Sequence, residues 1–201
     1  MENVEWLQNI QKLINFFLRY IVAGGSAVLA FGLTQQDPFS FLRIGNEVSV
    51  LLLLLFISVV GPTIYSVHKA VLHEIVVKCI EFFSRPKDLK NVSLQRFDLA
   101  LEKQLEQWRQ NGDAWLSTYE PWAAQVHFLY CSAWGTAVAL GLARQFNPNA
   151  KNFLPIVVVG SVLFIAAVVS DFRLTRLQIV RSVEAGAFAT YSQNKNTVLP
   201  N

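Results

Sequence analysis

Four stretches of this 201-residue chain contain no Asp, Glu, Lys or Arg, and they limit the folds open to it more than any other feature. They cover residues 20–36, 48–67, 121–143 and 152–170, with lengths of 17, 20, 23 and 19 residues. An α-helix rises about 1.5 Å per residue, so roughly 20 apolar residues cross a hydrocarbon core about 30 Å thick. Lipid offers no water to backbone amides and carbonyls, which leaves the helix as the form for such segments. Charged residues make up 15% of the chain, against about 25% in a typical soluble domain. A soluble bundle of four helices apolar all round would keep almost no solvated surface. The sequence therefore predicts an all-α polytopic membrane protein with four transmembrane helices and a cytoplasmic helical extension.

The basic residues orient it. Fourteen of the 17 Lys and Arg lie in the terminal segments and the long middle segment, which share one side of the membrane. Arg43, Arg144 and Lys151 alone lie on the short loops 37–47 and 144–151. Excess Lys and Arg stay cytoplasmic, which places both termini and the middle segment in the cytoplasm of a bacterial inner membrane. The first apolar stretch follows Glu2 and Glu5 instead of a basic cluster. It also ends in Leu33-Thr34-Gln35-Gln36 without a small-x-small cleavage site, so it reads as a retained span. Cys79 and Cys131 are expected to be free thiols. The net charge of +3 follows from where the loops sit and does not indicate direct nucleic acid binding.

Five segments follow. Residues 1–19 form an amphipathic juxtamembrane segment, with Trp6, Leu7, Ile10, Ile14, Phe17 and Leu18 on one face. Residues 20–67 hold transmembrane helices 1 and 2, with a kink expected at Gly61-Pro62. Residues 68–118 read as a cytoplasmic helical hairpin. Its first arm carries Val71, Ile75, Cys79, Ile80 and Phe83 on one face and Lys69, His73, Glu74, Lys78 and Glu81 on another, and it breaks at Arg85-Pro86. Its second arm carries the stripe Leu94, Phe97, Leu101, Leu105 and Trp108 and stops at Asn111-Gly112. Residues 119–170 hold helices 3 and 4, the third starting at Glu120-Pro121. Residues 171–201 form a basic amphipathic helix and a disordered tail. A hairpin this small needs cover from a second subunit, a partner or the fourth helix's extension. Leu94, Phe97, Leu101, Leu105, Trp108, Arg173 and Arg176 are therefore assigned to a soluble cytoplasmic partner. Gly24, Gly25, Gly135, Ala139 and Ala143 allow close helix approach and are assigned to packing in a homo-oligomer.

Candidate chemistry is sparse. His127 lies within the third span beside Tyr130 and Cys131, and an intramembrane ionisable group is a functional candidate by default; an interhelical hydrogen bond is the simpler role. His68 and His73 are five residues apart, roughly 140° around a helix, too far to share a metal. Asp171 and Arg173 read as a membrane-interface pair, and Trp108, Trp115 and Trp122 as interface anchors or docking residues. The Asn91-Val92-Ser93 sequon falls on the cytoplasmic side and carries no meaning there. The sequence offers no Ser-His-Asp set, glycine-rich phosphate loop or paired intramembrane carboxylates. It predicts neither an enzyme nor a metal or cofactor site. Three functions remain open: an oligomeric sensor or anchor that recruits a soluble partner, a pore-forming or membrane-depolarising effector, and a lipid-modifying enzyme, which lacks its polar cluster.

The layout of residues 13–190 resembles the membrane subunit of the Kiwa anti-phage defence system: four spans in about 200 residues, cytoplasmic termini and a helical cytoplasmic projection. The likeness carries no diagnostic motif, so no residue role transfers with it. It implies a homo-oligomer, a tetramer, that monitors the inner membrane and holds a soluble DNA-binding effector subunit.

Overall fold

A computed structural model describes residues 13, 20–35, 47–146 and 152–188, with the backbone alone for 47–50, 52, 53 and 71–73. Every described element is helical: α1 (Val22–Thr34), α2 (Glu47–Val67), a π-helical turn (His68–His73), α3 (Glu74–Ser84), a 3-10 turn (Lys87–Leu89), α4 (Leu94–Asn111), α5 (Leu116–Phe146) and α6 (Phe153–Glu184). Three helices are long and apolar enough to cross a membrane: Leu54–Ser84, Leu116–Phe146 and Phe153–Glu184. α1 has 13 residues, short of the roughly 20 a crossing needs. The expected juxtamembrane helix, the two outer loops and the tail from Ser192 fall wholly or largely outside the described residues. Each long helix exceeds the span requirement, and its surplus carries the charge; beyond the charge-free stretch 48–67, for example, come Lys69, Glu74, Lys78 and Glu81.

The chain divides into two compact units, Met1–Leu72 with Ala124–Val168, and His73–Ala123 with Val169–Asn201. In the first, small residues set the spacing of the helices. A Cβ at Gly24 would stand 2.6 Å from the backbone oxygen of Ile57 on α2, and one at Gly61 would fall on the carbonyl oxygen of Tyr20. On α5, a Cβ at Gly135 would stand 2.6 Å from Ala23 O and 3.0 Å from Ala27 N. Ala139 is buried with Ala30 and Ile156, and Ala143 is fully buried. Gly24, Gly135, Ala139 and Ala143 thus pack inside one chain. Of the five residues assigned to oligomer packing, Gly25 alone would place its Cβ in open space.

Several hydroxyls of this unit turn back onto their own helices. Ser58 donates to Leu54 O (2.7 Å), Thr63 to Val59 O (2.8 Å) and Thr136 to Ser132 O (2.8 Å). That is how an isolated hydroxyl is satisfied where water is absent. The end of α1 is closed by side chains: Thr34 Oγ1 donates to Phe31 O, and Asn152 Nδ2 reaches Leu33 O at 3.1 Å. Asn152 sits at φ 57, a left-handed conformation that asparagine tolerates better than most residues.

In the second unit the stripe assigned to a partner is buried. Phe97 is 0% and Leu101 3% exposed, packed with Leu89, Ile179 and Phe188. Trp108 packs with Trp115 and Leu116, with Leu105 and Tyr119 against them. This corrects the assignment of Phe97, Leu101, Leu105 and Trp108: the extension of the fourth helix covers the first two, and Trp115 with the start of α5 covers the last two. Leu94, Arg173 and Arg176 are exposed. The carboxyl end of α6 explains how the cover closes. Gly186, at φ 77, takes a left-handed turn with Ala187 N–H bonded to Ser182 O at 3.0 Å. That turn returns the chain so that Phe188 stacks on Phe97 at 4.9 Å. Phe97→Ala is expected to lower the unit's unfolding free energy by about 3–5 kcal/mol. Chemical denaturation followed by circular dichroism would measure it; a change within about 0.5 kcal/mol, as for an exposed site, would contradict this burial.

Two boundaries differ from expectation. α5 starts at Leu116, a turn before Glu120-Pro121, because Asp113 Oδ1 accepts the Trp115 amide at 2.8 Å and begins the helix there. α2 runs continuously through Pro62, and a π-helical turn follows it at His68–His73. α4 ends where expected, on Gly112 at φ 64, with Asp113 N–H bonded to Trp108 O at 2.9 Å.

Candidate functional site

The first unit brings two histidines and three tyrosines together in one buried to half-buried cluster. His68, 1% exposed, opens the π-helical turn after α2. Its ring lies 6.0 Å from that of His127 on α5 and 4.7 Å from that of Tyr130. Tyr65, one turn earlier on α2, meets His127 edge-on at 5.8 Å and Tyr20 at 5.0 Å. Tyr130 continues to Phe164 on α6 at 5.9 Å. Cys131 is fully buried beside the cluster, with Ala23, Ala27 and Ile64. Each of the two histidines and three tyrosines also makes further polar or ring interactions.

His127, expected within the third span beside Tyr130 and Cys131, is the middle of a chain of rings. The π-helical turn matters locally: a wide turn rotates the side chains around it relative to α geometry, and such turns recur at functional positions. Imidazole is the side chain whose ordinary pKa lies nearest neutrality. The cluster's imidazole and phenol groups can each accept or donate a proton, and they lie on α2 and the turn after it, on α5, and at Tyr20 just before α1. Among the described residues, no three His, Cys, Asp or Glu side chains converge as metal ligands.

The second unit has its own buried polar site, lying 14 residues or more beyond the charge-free stretch that ends at Val67. Glu81 on α3, 7% exposed, shares a hydrogen bond with Asp98 on α4. Two carboxyl groups that hydrogen-bond need a proton between them. Burial first, and then the Asp98 contact, push the Glu81 carboxyl up to about 9, while Arg85 and Lys78 pull the other way. Arg85, also buried, donates from Nη1 to Val92 O and lies 4.3 Å above the Phe97 ring. With one proton on the carboxyl pair the site is neutral overall, the state in which burial is least costly. Glu81 Oε2, Asp98 Oδ1, Arg85 Nε and Nη2 and Ser84 Oγ are buried without partners.

Exposed apolar groups lie on the opposite side of α3. Ile75, Cys79, Phe82 and Phe83 recur at intervals of four, three and one, and Phe82 and Phe83 are 59% and 77% exposed. Their rings meet edge-on at 5.5 Å. This is the apolar surface of the second unit that α6 leaves uncovered on that helix. Helical periodicity puts Ile80 with Ile75, Cys79 and Phe83 on one face, whereas in the structure Ile80 points inward with Glu81.

Neither a protein-family model, nor a curated protein, nor a solved structure matches this chain. The functional argument rests on the residues themselves.

Proposed function

We propose that the protein is a non-enzymatic, oligomeric sensor and anchor of the bacterial inner membrane that recruits a soluble cytoplasmic partner. In this reading four helices cross the membrane, α1 with its flanking residues being the first, and both termini are cytoplasmic. Anti-phage defence is the setting that the layout's resemblance to the Kiwa membrane subunit implies, and a homo-oligomer, a tetramer, is the assembly. The observation that carries the reading is the exposed aromatic stripe of α3 on a charged helical unit whose own core is already filled. Phe82 and Phe83 stand where water would surround them, and large exposed aromatics on an otherwise complete unit mark a binding surface. The exposed Arg173 and Arg176 add positive charge to the same unit and favour a partner with acidic groups near its apolar contact. The histidine–tyrosine cluster supplies an element that a change in the membrane could bias.

A mild-detergent pull-down with mass determination of the intact complex tests this. The wild-type protein is expected to carry a stoichiometric soluble protein. The Phe82→Ser/Phe83→Ser variant is expected to lose it at least tenfold while keeping its own oligomer mass, because both side chains are exposed and contribute little to the fold. Partner retention by that variant would move the docking surface elsewhere. A bare oligomer that conducts ions in liposomes would favour the pore-forming alternative.

A further inference from the structure

A groove of about 650 Å³ opens in the first unit between α1, α5 and α6. Gly25 and Leu29 of α1, Phe128 and Ser132 of α5, and Val159 and Leu163 of α6 line it. None of its lining residues is charged. Of the hydroxyls on its wall, Ser26 donates to Ala23 O at 2.9 Å and Thr136 to Ser132 O at 2.8 Å, so both hydrogens point into backbone. Such a surface offers shape and apolar contact in place of a hydrogen-bonding pattern. Its volume lies within the range of about 300–1,000 Å³ typical of ligand sites.

We propose that this groove is a binding site for a phospholipid acyl chain, with Gly25 as its floor. The proposal rests on the chain's residence in a membrane. A second copy's helix is the competing occupant, and the neighbours of Gly25 argue against it. Close helix pairing needs small residues four apart on the facing surface. The positions four before and four after Gly25 are Ile21 and Leu29, both lining the groove. One notch between two bulky side chains admits a slender flexible chain but keeps a second backbone at a distance. The small residues that do permit close approach, Gly24 and Gly135, already face helices of this chain.

Gly25 and Gly141 of this unit both have nothing within 4 Å of an added Cβ, and Gly141 does not line the groove. They form a matched pair. Protein in native membranes would be labelled with a phospholipid carrying a diazirine at its acyl terminus, and the adducts mapped by mass spectrometry. Wild type is expected to label preferentially on peptides containing Leu29, Phe128 and Val159. Gly25→Leu is expected to cut that labelling at least fivefold and Gly141→Leu to leave it unchanged. Val159→Phe, which fills the groove from an exposed position on α6, should repeat the loss and guards against a folding defect specific to α1. Uniform labelling of the whole apolar surface, or undiminished labelling in both groove variants, would overturn the proposal. A drop in oligomer mass for Gly25→Leu with lipid labelling intact would assign the groove to a second copy instead. Extraction of the wild-type chain from membranes by alkaline carbonate would strike at membrane residence itself, separately from the groove.

Discussion

Gly135→Leu is expected to unfold the apolar helical unit, not to separate subunits from each other. A Cβ at this position lands 2.6 Å from Ala23 O and 3.0 Å from Ala27 N, and also on the hydroxyl of Ser26. The obstacles include backbone atoms of α1, which no rotamer change removes. Overpacking a filled core costs about 1–3 kcal/mol where side chains can move aside, occasionally more. Here α1 would have to leave α5, taking with it the packing of Ala23 and Ala27 against Cys131 and Tyr65. The expected result is a protein that aggregates on extraction or melts far below wild type. Gly141→Leu, whose Cβ meets nothing within 4 Å, should extract and melt as wild type does. Thermal unfolding in one detergent, with the intact mass measured alongside, separates the cases. A Gly135→Leu protein that melts normally but loses subunits would place this ridge between chains and contradict the packing described above.

Alkaline pH is expected to loosen the second unit, and Glu81→Gln to remove much of that sensitivity. The ordinary carboxyl value for Glu81 is 4.5, and in the folded unit it rises to about 9. Between those values the folded unit holds a proton that the unfolded chain has released. Stability from this group is therefore present in full below about 4.5 and is lost progressively as pH climbs to about 9. Above that, the second carboxylate forms beside Asp98 in a buried site where Arg85, just past the end of α3, and Lys78 are the cations that offset it. Glutamine keeps a donor for Asp98 at every pH and forms no second carboxylate. With relaxation of the site allowed for, the difference between wild type and Glu81→Gln at high pH is on the order of 3 kcal/mol in favour of the variant. Melting temperatures by circular dichroism across about pH 5–10 would show it, a window that covers the titration range between the two pKa values and the plateau just above it. Parallel curves for the two proteins would remove the carboxyl pair from the account.

Much of the fold is legible in the sequence because charge is excluded from lipid and helices are periodic. The absence of Asp, Glu, Lys and Arg over 48–67, 121–143 and 152–170 marks the apolar windows of the three long helices. Gly112 and the 94–111 stripe give α4 its extent. What stays hidden is which partner each stripe meets. Phe97 and Leu101 read equally well as an external docking face or as a core, and the choice turns on Phe188, which reaches Phe97 through the left-handed turn at Gly186. Gly135 and Gly25 are the same residue type in equally apolar surroundings, yet one faces backbone and the other open space. The histidine cluster is hidden for a related reason. Sequence proximity pairs His68 with His73, whereas its ring neighbours His127 and Tyr130 lie some 60 residues along the chain on α5. The π-helical turn shifts the phase of the pattern as well, so one 3.6-residue period drawn from Ile64 to Phe83 mixes inward and outward positions around Ile80.

The stacking of Phe188 on Phe97 also has a bearing on time. A ribosome delivers α3 and α4 long before it delivers the end of α6, and at about 5–20 residues per second the interval lasts several seconds. Throughout it the ring of Phe97 and the side chain of Leu101 have no Ile179 or Phe188 to meet. Contacts between residues so distant in sequence form late, since the intervening chain must first exist and then close. The newly made hairpin thus passes through a sticky adolescence in which its future core is its surface, and α5 and α6 must be complete before the unit can mature. Its assembly waits on the residues at the end of α6, and until they emerge the nascent unit presents a different face from its folded one.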